Sequence, residues 1–344
     1  MKKRAIICLG LIFILAGCNS NTSNRNNSSN NIMNEENNFN KEFSKISIDF
    51  NSVLALTRDG ELYGIGSVDG LGEGIEKATK ITKIAENVKD FDDGRGTFYI
   101  DNNDSLYMAG WDFRGFSLDN YEKIYDNVMD FDHDFCLSIV TKNKDLYINR
   151  GLFGNEWCGL NLENKEFYKI QSDVKNAIIG NHFNGYITTD GDLYIQKKGE
   201  AYELVLNNVV DYFGDYYLTE DNNLYKVVVD VYNANAITKE IISTEVVEIG
   251  KNYLKKKDGK FYFYLKKDTK RTYVNGGNWA DSDNFYLVDS INDIKAVFYY
   301  EYSGKAELIY LNTDNKIVLY DAQKGSKLLN YSLESMEDIY NFVS

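Results

Sequence analysis

The length, composition and charge of this chain exclude two broad classes of protein. Its 344 residues are 43% apolar and 14% aromatic, so a hydrophobic core is possible and a disordered chain is not expected. The formal net charge is −14, and a chain this acidic lacks the positive charge that binding to phosphate requires, so we expect no nucleic-acid partner.

The N-terminus has the organisation of an export signal. Residues 2–4 are Lys-Lys-Arg, and residues 5–15 form an apolar run that is too short to span a bilayer comfortably. The sequence Leu-Ala-Gly-Cys at residues 15–18 closely resembles the lipobox of bacterial lipoproteins. The resemblance implies that a signal peptide, residues 1–17, is removed and that the Cys18 thiol carries a lipid anchor. The alternative is an ordinary secretory signal with a chance cysteine after it.

Residues 18–42 are predicted to be a flexible tether. Asn supplies 11 of the 22 residues between positions 19 and 40, and such a segment buries too little apolar surface to offset the entropy lost on ordering. We therefore expect this Asn-rich segment to hold a folded domain, residues 43–344, away from the membrane.

A hairpin pattern recurs along residues 43–344. In the stretch from Ser52 to Gly74, the pair Asp59-Gly60 separates two apolar runs, which is a strong hairpin signal because glycine supplies the positive φ that such turns need. A Leu-Tyr pair, or a degenerate form of it, follows a turn in seven places: Leu62-Tyr63, Leu106-Tyr107, Leu146-Tyr147, Leu193-Tyr194, Leu224-Tyr225, Phe261-Tyr262 and Ile317-Val318.

A second motif, typified by Val88-Lys89-Asp90-Phe91, brackets these hairpins. Its eight copies end at Phe50, Phe91, Phe131, Ala177, Tyr212, Ile249, Val297 and Phe342. A period of about 40–50 residues with four short strands is typical of a β-propeller blade. We predict an all-β, seven-bladed propeller of four-stranded blades whose ring is closed by the N- and C-terminal strands, the first strand completing the last blade. An open β solenoid and a two-sheet sandwich are the alternatives.

The first two repeats also resemble a known family. Residues 54–67 read LALTRDGELYGIGS, and residues 105–111 read SLYMAGW. These segments resemble the repeat of the regulator of chromosome condensation proteins, which implies a seven-bladed propeller. Later repeats keep the hairpin and lose the glycine-rich loop. The exchange-factor activity of the nuclear family members is not carried over, because this chain has the features of an exported lipoprotein.

Two cysteines lie in one repeat of the predicted propeller. Cys136 and Cys158 are 22 residues apart, and they could form a disulfide in an oxidising envelope. We favour the interpretation of two small buried thiols, because sequence does not show that their Cα atoms approach closely enough to be bonded.

Polar segments after the second motif are the candidate binding loops. The segments 92–96, 132–135, 180–184 and 213–215 fall at equivalent places in their repeats, so we expect them on one face of the propeller. The candidate binding residues in them are Asp92, Asp93, Arg95, Asp132, His133, Asp134, His182 and Asp215.

The same segments do not predict a metal site. His133 and His182 lack the spacing of a metal-binding pair and are interpreted as solvated loop residues. The alternating acids of residues 130–134 suggest calcium ligands, but Phe135 and Thr141 stand where a calcium-binding EF-hand needs Gly and Glu. We therefore expect no metal and no other cofactor.

These observations predict a binding protein rather than an enzyme. We expect a monomer that is lipid-anchored on the extracellular face of a bacterial cell membrane and that binds an unknown protein or glycan with the loop face of its propeller. The alternative is a propeller enzyme of the cell envelope, either a glycan hydrolase or a quinone- or metal-dependent enzyme, with acids around the central channel. No catalytic residue is predicted.

Overall fold

The structure is a computed structural model, and it describes residues 41–49, 52–68, 78–93, 96–111, 117–133, 136–149, 167–180, 183–197, 200–230, 236–265, 284–287, 291, 293–302, 306–321 and 325–343. In these residues 28 strands form seven antiparallel four-stranded sheets, each built from four consecutive strands. The sheets are the blades of a propeller, so the predicted seven-bladed architecture is confirmed.

The first four blades each contain four strands in chain order. Blade 1 contains β1 (Phe43–Asp49), β2 (Ser52–Thr57), β3 (Leu62–Gly66) and β4 (Ala78–Ala85). Blade 2 contains β5 (Val88–Asp93), β6 (Gly96–Asp101), β7 (Leu106–Trp111) and β8 (Ser117–Tyr125). Blade 3 contains β9 (Val128–His133), β10 (Leu137–Thr141), β11 (Leu146–Asn149) and β12 (Phe167–Gln171). Blade 4 contains β13 (Val174–Gly180), β14 (Phe183–Thr188), β15 (Leu193–Lys197) and β16 (Tyr202–Leu206).

The last three blades have the same plan, and a short helical segment follows them. Blade 5 contains β17 (Val209–Phe213), β18 (Tyr216–Thr219), β19 (Leu224–Asp230) and β20 (Ala236–Ser243). Blade 6 contains β21 (Val246–Gly250), β22 (Tyr253–Lys256), β23 (Phe261–Leu265) and β24 (Asn284–Leu287). Blade 7 contains β25 (Ile294–Tyr302), β26 (Ala306–Asn312), β27 (Lys316–Asp321) and β28 (Gly325–Asn330). A 3₁₀ turn (Leu333–Ser335) and helix α1 (Met336–Val343) come next.

The turn between the second and third strands of each blade has one residue in the left-handed region. These residues, all with positive φ, are Gly60, Asp104, Lys144, Gly191, Asn222, Gly259 and Asn315. Gly and Asn adopt this conformation at low cost, which is why Gly, Asn and Asp mark the repeats in a chain without proline.

A recurrent hydrogen bond joins five of these seven turns to the next blade. The Val88 N–H donates to the Gly60 carbonyl at 2.8 Å, and the Val209 N–H donates to the Gly191 carbonyl at 2.7 Å. The first residues of β9, β13 and β21 make the equivalent bond. Because the donor is the first residue of the following blade, this contact fixes where each new blade begins.

The first strand of each blade lies innermost. Strand β1 contacts β5 and β25, β9 contacts β13, and β17 contacts β21, so first strands of neighbouring blades meet. The apolar core lies between blades. For example, Phe98 and Met108 of blade 2 pack with Leu137 and Ile139 of blade 3. The first strands therefore surround the propeller axis, and their ends meet at the two faces of the ring.

The end of the chain differs from the prediction. The segment read as an eighth strand is helix α1, because Met336, Ile339 and Phe342 recur at helical spacing and all three are buried. Strand β1 pairs with β2 inside blade 1 and does not complete the last blade. The ring closes where β1 contacts β25 and where the Leu333 N–H donates to the carbonyl of Lys41 at 2.6 Å.

Candidate functional site

Two carboxylates of blade 3 cap the inner edge of blade 4. The Ala177 N–H donates to Asp130 Oδ2 at 2.9 Å, and the Ile179 N–H donates to Asp132 Oδ2 at 2.7 Å. Since β13 is an innermost strand, these N–H groups lie on its free edge, where no further strand can pair with them. The two acids therefore have a structural role between the blades.

Other side chains around the axis donate hydrogen bonds to backbone carbonyls of the neighbouring blade. Lys45 Nζ donates to the carbonyl of Phe91 at 2.5 Å and to Asp90 Oδ1 at 2.9 Å. The Tyr212 hydroxyl donates to the carbonyl of Ala177 at 2.9 Å. In each case a side chain from one blade satisfies the inner strand of its neighbour, so polar residues around the axis bind the blades together.

The first strands and the turn after β17 carry several acidic residues, which we call the acidic cluster: Asp90, Asp92, Asp130, Asp132, Asp211 and Asp215. Its members come from blades 2, 3 and 5. Burial, and then the neighbouring charge of Asp90, raises the pKa of Asp130 to about 6 against its backbone hydrogen bond. Burial is also the main cause that raises the pKa of Asp132 to about 7, with a smaller contribution from Asp92. Asp90 thus influences Asp130, and Asp92 influences Asp132, across the boundary between blades 2 and 3.

His133 is paired with the preceding blade. Its Nε2 lies 3.5 Å from Asp92 Oδ2, and its ring stacks on Phe98 with centroids 4.2 Å apart. Burial lowers the pKa of His133, but the interactions with Asp92, Asp132 and Asp93 together outweigh this effect and raise the pKa above its usual value. The side chain is only 8% exposed. The interpretation of His133 as a solvated loop residue is therefore wrong, because the strand ends at this residue and not before it.

The structure brings most of the described candidate residues to one end of the ring. Asp92 and Asp93 end β5, Asp132 and His133 end β9, and Asp215 is exposed in the turn after β17. Three further candidates, Arg95, Asp134 and His182, lie outside the described residues. Asp90, Asp130 and Asp211 were not among the predicted binding residues, although each lies two residues before a predicted loop in an equivalent strand, which was a usable signal.

The cysteines differ from the favoured interpretation. Cys136 is buried and disulfide-bonded, so the expectation of a free thiol is wrong at this position. Cys18 and Cys158 lie outside the described residues.

The acidic cluster gives the described part of the chain a negatively charged surface but not a metal site. No group of three or more His, Cys, Asp and Glu side chains in the described ranges is arranged to hold a metal ion. Asp130 and Asp132 accept backbone N–H groups of the next blade, whereas Asp92, Asp211 and Asp215 are exposed. Such a surface attracts hydrogen-bond donors and positive charge. No helix in the described ranges has the length and apolar character needed to cross a membrane.

A separate open cleft lies between blades 4 and 5 on the opposite face. It has a volume of about 560 Å³, and Asn207, Asn208, Tyr225 and Lys239 are among its lining residues. An aromatic ring beside amide groups is the kind of lining that suits a sugar. The cleft is distinct from the acidic cluster, because it borders the turns between second and third strands.

Comparison with solved structures shows which known proteins share this fold. No protein-family model and no curated protein matches the sequence. The solved structure of Prp20p from Saccharomyces cerevisiae, described with its binding to Gsp1p and histones, has a TM-score of 0.52 at 12% identity over 74% of this chain and 78% of that chain. Yeast RCC1 (Prp20) bound to Kap60 also has a TM-score of 0.52 at 12% identity, over 90% of this chain and 86% of that one. This chain therefore has the propeller fold of the regulator of chromosome condensation, as residues 54–67 and 105–111 predict.

Proposed function

We propose that this protein is a lipid-anchored lipoprotein on the extracellular face of a bacterial cell membrane, and that its propeller binds a protein or a glycan. The anchoring rests on the signal-like residues 1–17, the lipobox cysteine Cys18 and the Asn-rich tether that follows. The binding role rests on the propeller, whose ring of equivalent connections presents side chains from several blades on one face.

The observation that carries the binding role is the exposed part of the acidic cluster. The Asp92 side chain is 52% exposed although it contacts His133, and Asp211 and Asp215 are also exposed. Burial raises the pKa of both Asp211 and Asp215. An exposed acidic surface of this kind is suited to recognition of a partner.

The acidic residues favour binding over catalysis. A glycan hydrolase needs one carboxyl group as general acid and a second as general base or nucleophile. Asp130 and Asp132 instead accept hydrogen bonds from the backbone of the next blade, and Asp92 interacts with His133. Asp130 and Asp132 are thus committed to contacts between blades, which supports a binding module over the alternative of an envelope enzyme.

Anchoring is tested by removing the lipidated thiol. We expect Cys18→Ala to abolish incorporation of radiolabelled palmitate in bacterial cells and to move the protein from the membrane fraction to the medium or to its uncleaved precursor. Cys8→Ala, which removes a thiol from the apolar run of the signal and keeps that run apolar, is the control and should still incorporate label. Incorporation that is unchanged in Cys18→Ala would contradict a lipid anchor.

Binding is tested by crosslinking in intact cells with the full chain. We expect a discrete crosslinked partner or glycan that is lost in the combined variant Asp92→Asn, Asp211→Asn, Asp215→Asn. The matched control replaces the exposed acids Asp190 and Asp258 of the opposite face by Asn and should keep the crosslink. Equal crosslinking by both variants would show that the acidic cluster is not the binding surface. Loss of the crosslink in Tyr225→Ala alone would indicate that the ligand binds in the cleft on the opposite face.

A further inference from the structure

One boundary between blades is built differently from its neighbours, on the face opposite the acidic cluster. In blades 2 to 6 the Tyr of the repeated Leu-Tyr motif, or of Phe-Tyr in blade 6, pairs with a residue of the fourth strand. The residue two positions earlier in the fourth strand has its side chain on the same side of the sheet. That residue is aromatic in four of these blades: Tyr121, Phe167, Tyr202 and Phe285. Blade 5 has Lys239 there instead.

The change to lysine opens the boundary between blades 4 and 5. At the boundary between blades 2 and 3, Phe167 contacts Tyr125 with ring centroids 5.0 Å apart, so aromatic rings fill the space between those blades. Lys239 reaches across to blade 4 instead, and its Nζ donates to the carbonyl of Val205 at 2.5 Å. Because a lysine stem is narrower than an aromatic ring, the space that a ring fills elsewhere is open here and forms the cleft of about 560 Å³.

Tyr225 is the aromatic ring that this cleft leaves uncovered. It is half-buried, packs against the apolar cluster that includes Leu206, and lines the cleft. Tyr194, at the same position of blade 4, stacks on Tyr186 with centroids 5.2 Å apart, whereas no aromatic ring of the described residues contacts Tyr225. Ile241, the cross-strand partner of Tyr225, is 52% exposed. Tyr225 and Ile241 therefore offer an apolar surface to a ligand.

Polar side chains without partners line the same cleft. The Asn208 amide and the Glu220 carboxylate are exposed, and neither has a hydrogen bond or ion pair within the described ranges. The Glu220 N–H donates to the Asn208 carbonyl at 2.9 Å, which holds these two residues beside each other. The Asn207 amide donates to Asp192 Oδ1 at 2.7 Å, and its own carbonyl oxygen can still accept a hydrogen bond. The cleft thus combines donors and acceptors with an aromatic ring.

This lining matches the chemistry of a sugar. A pyranose ring has a face of C–H groups that packs on an aromatic ring, and its hydroxyls both donate and accept hydrogen bonds. We propose that the cleft between blades 4 and 5 binds a neutral sugar unit of a glycan, with the sugar ring on Tyr225 and its hydroxyls bonded to Asn208 and Glu220. The inference extends the proposed binding function to a second surface and does not require the acidic cluster to bind anything.

The charge of the cleft favours a neutral sugar over an acidic one. Its charged lining residues are Glu220, Asp221 and Lys239, so negative charge is in excess. The single cation is already bonded to the backbone of blade 4. A uronic acid would therefore bring its carboxylate close to two others without a free cation to offset them.

Binding is tested by saturation-transfer NMR with the full chain in detergent. The probes are three neutral tetrasaccharides, cellotetraose, maltotetraose and chitotetraose, and one acidic tetrasaccharide, tetragalacturonate. We expect at least one neutral probe to bind and the acidic probe not to bind. Tyr225→Ala should weaken binding of the neutral probe at least about tenfold, and Tyr225→Phe, which keeps the ring, should preserve most of it.

Asn208 allows a variant with a closely matched control. Its φ is 57°, a conformation that Gly adopts at low cost, so Asn208→Gly removes the amide and is expected to fold. This variant should weaken sugar binding about tenfold. Asn127 has φ 59° at the same position between blades 2 and 3, and its carbonyl accepts the Lys142 N–H at 2.8 Å as the Asn208 carbonyl accepts that of Glu220. Asn127→Gly should leave binding unchanged.

Lys239→Tyr tests why the cleft is open. It introduces the side chain that Tyr202 provides in blade 4, where the Tyr202 ring packs on Tyr186 with centroids 5.0 Å apart. We expect this variant to fill the cleft and abolish sugar binding while the protein remains folded. A circular dichroism spectrum identical to that of wild type establishes the fold.

The outcomes separate this inference from the proposed function. Absence of binding by all three neutral probes would overturn the inference, and so would binding that Asn208→Gly and Lys239→Tyr leave unchanged. Stronger binding of tetragalacturonate than of the neutral probes would overturn the assignment to a neutral sugar. A crosslink in cells that depends on the acidic cluster, with no sugar binding, would leave the proposed function standing and refute the inference. Sugar binding in the cleft without such a crosslink would support the inference alone.

Discussion

His133 of blade 3 lies 3.5 Å from Asp92 of blade 2, measured from Nε2 to Oδ2. The two residues end the first strands of consecutive blades, so their contact joins neighbouring blades at the face that carries the acidic cluster. The histidine is 8% exposed and the aspartate 52% exposed. The interaction therefore combines a buried ring with a carboxylate that remains in contact with water, and its strength should depend on pH.

We expect the contribution of this pair to stability to be largest between about pH 4 and pH 6.5. Burial alone would raise the pKa of Asp92, but His133 outweighs it and keeps the pKa below its usual 3.8, so the aspartate's contribution is lost as pH falls through that lowered pKa. The pKa of His133 is raised above 6.5, so its contribution is lost as pH rises through the raised pKa.

A double-mutant cycle measures this dependence. Asp92→Asn, His133→Gln and the double variant should give a coupling free energy of about 1 kcal/mol near pH 5.5, because one partner is half exposed. The coupling should vanish well above the raised pKa of His133. Urea denaturation at several pH values provides the data, and a coupling that is constant with pH would exclude an ion pair.

Asp132 is expected to behave in the opposite sense to an ordinary surface acid. Its pKa in the folded protein is raised from 3.8 to about 7, mainly by burial. The folded state therefore holds this proton more tightly than the unfolded state, and the stability that depends on it is lost as pH rises through about 7. The difference in unfolding free energy between wild type and Asp132→Asn should fall by as much as about 4 kcal/mol between pH 4 and pH 8.

The exposed residue Asp190 supplies the control for this experiment. Asp190→Asn makes the same substitution at an exposed position on the opposite face and controls for the loss of one carboxyl group. Denaturation curves for the three proteins at pH 4, 6 and 8 decide the matter. If wild type and Asp132→Asn differ equally at every pH, Asp132 is not buried as a carboxyl group between the blades.

The repeats made the fold predictable, whereas the contacts at the site depend on register. Gly60 and Gly191 mark turns through their positive φ, so the hairpins could be read from sequence. The approach of Asp92 to His133 depends on how β5 and β9 are staggered around the axis, and no pattern within either strand contains that information. The free inner edge of β13 likewise becomes evident only once the neighbouring blade is in place.

The chain end shows how a repeat pattern can mislead. The last copy of the second motif, Ile-Tyr-Asn-Phe at residues 339–342, matches the copies that form strands in its composition. The wider window holds Met336, Ile339 and Phe342 at spacing three with Glu337 and Asp338 in the first turn, which is the pattern of an amphipathic helix. A short apolar run cannot be assigned from its own composition, and the flanking residues decide it.

Two tyrosines of blade 5 provide a matched pair for testing the contacts between blades. The Tyr212 hydroxyl donates to the carbonyl of Ala177 in blade 4 at 2.9 Å, so Tyr212→Phe should lower the free energy of unfolding by about 1 kcal/mol. The Tyr217 hydroxyl is buried, and no described residue bonds to it. Tyr217→Phe should therefore be neutral or stabilise the protein by up to about 1 kcal/mol.

Thermal and chemical denaturation should therefore show that Tyr212→Phe lowers the free energy of unfolding and that Tyr217→Phe does not. Both substitutions remove one oxygen atom and leave the ring in place, so packing changes little in either variant. Equal destabilisation by the two variants would mean that the Tyr217 hydroxyl has a partner in the folded protein.

Helix α1 is expected to stabilise the ring by covering the joint between blades 1 and 7. Ile339 is 0% exposed and packs in one cluster with Phe43 and Ile46 of blade 1 and with Ile309 of blade 7. Ile339→Ala should lower the free energy of unfolding by about 2–4 kcal/mol through loss of buried apolar surface and the cavity left behind. Glu337→Ala, on the exposed side of the same helix, should leave stability unchanged.

Hydrogen exchange would then show faster opening of β1 and β27 in Ile339→Ala than in wild type, because both strands contribute to this cluster. Uniform exchange in the two proteins would mean that the first and last blades hold together without the helix.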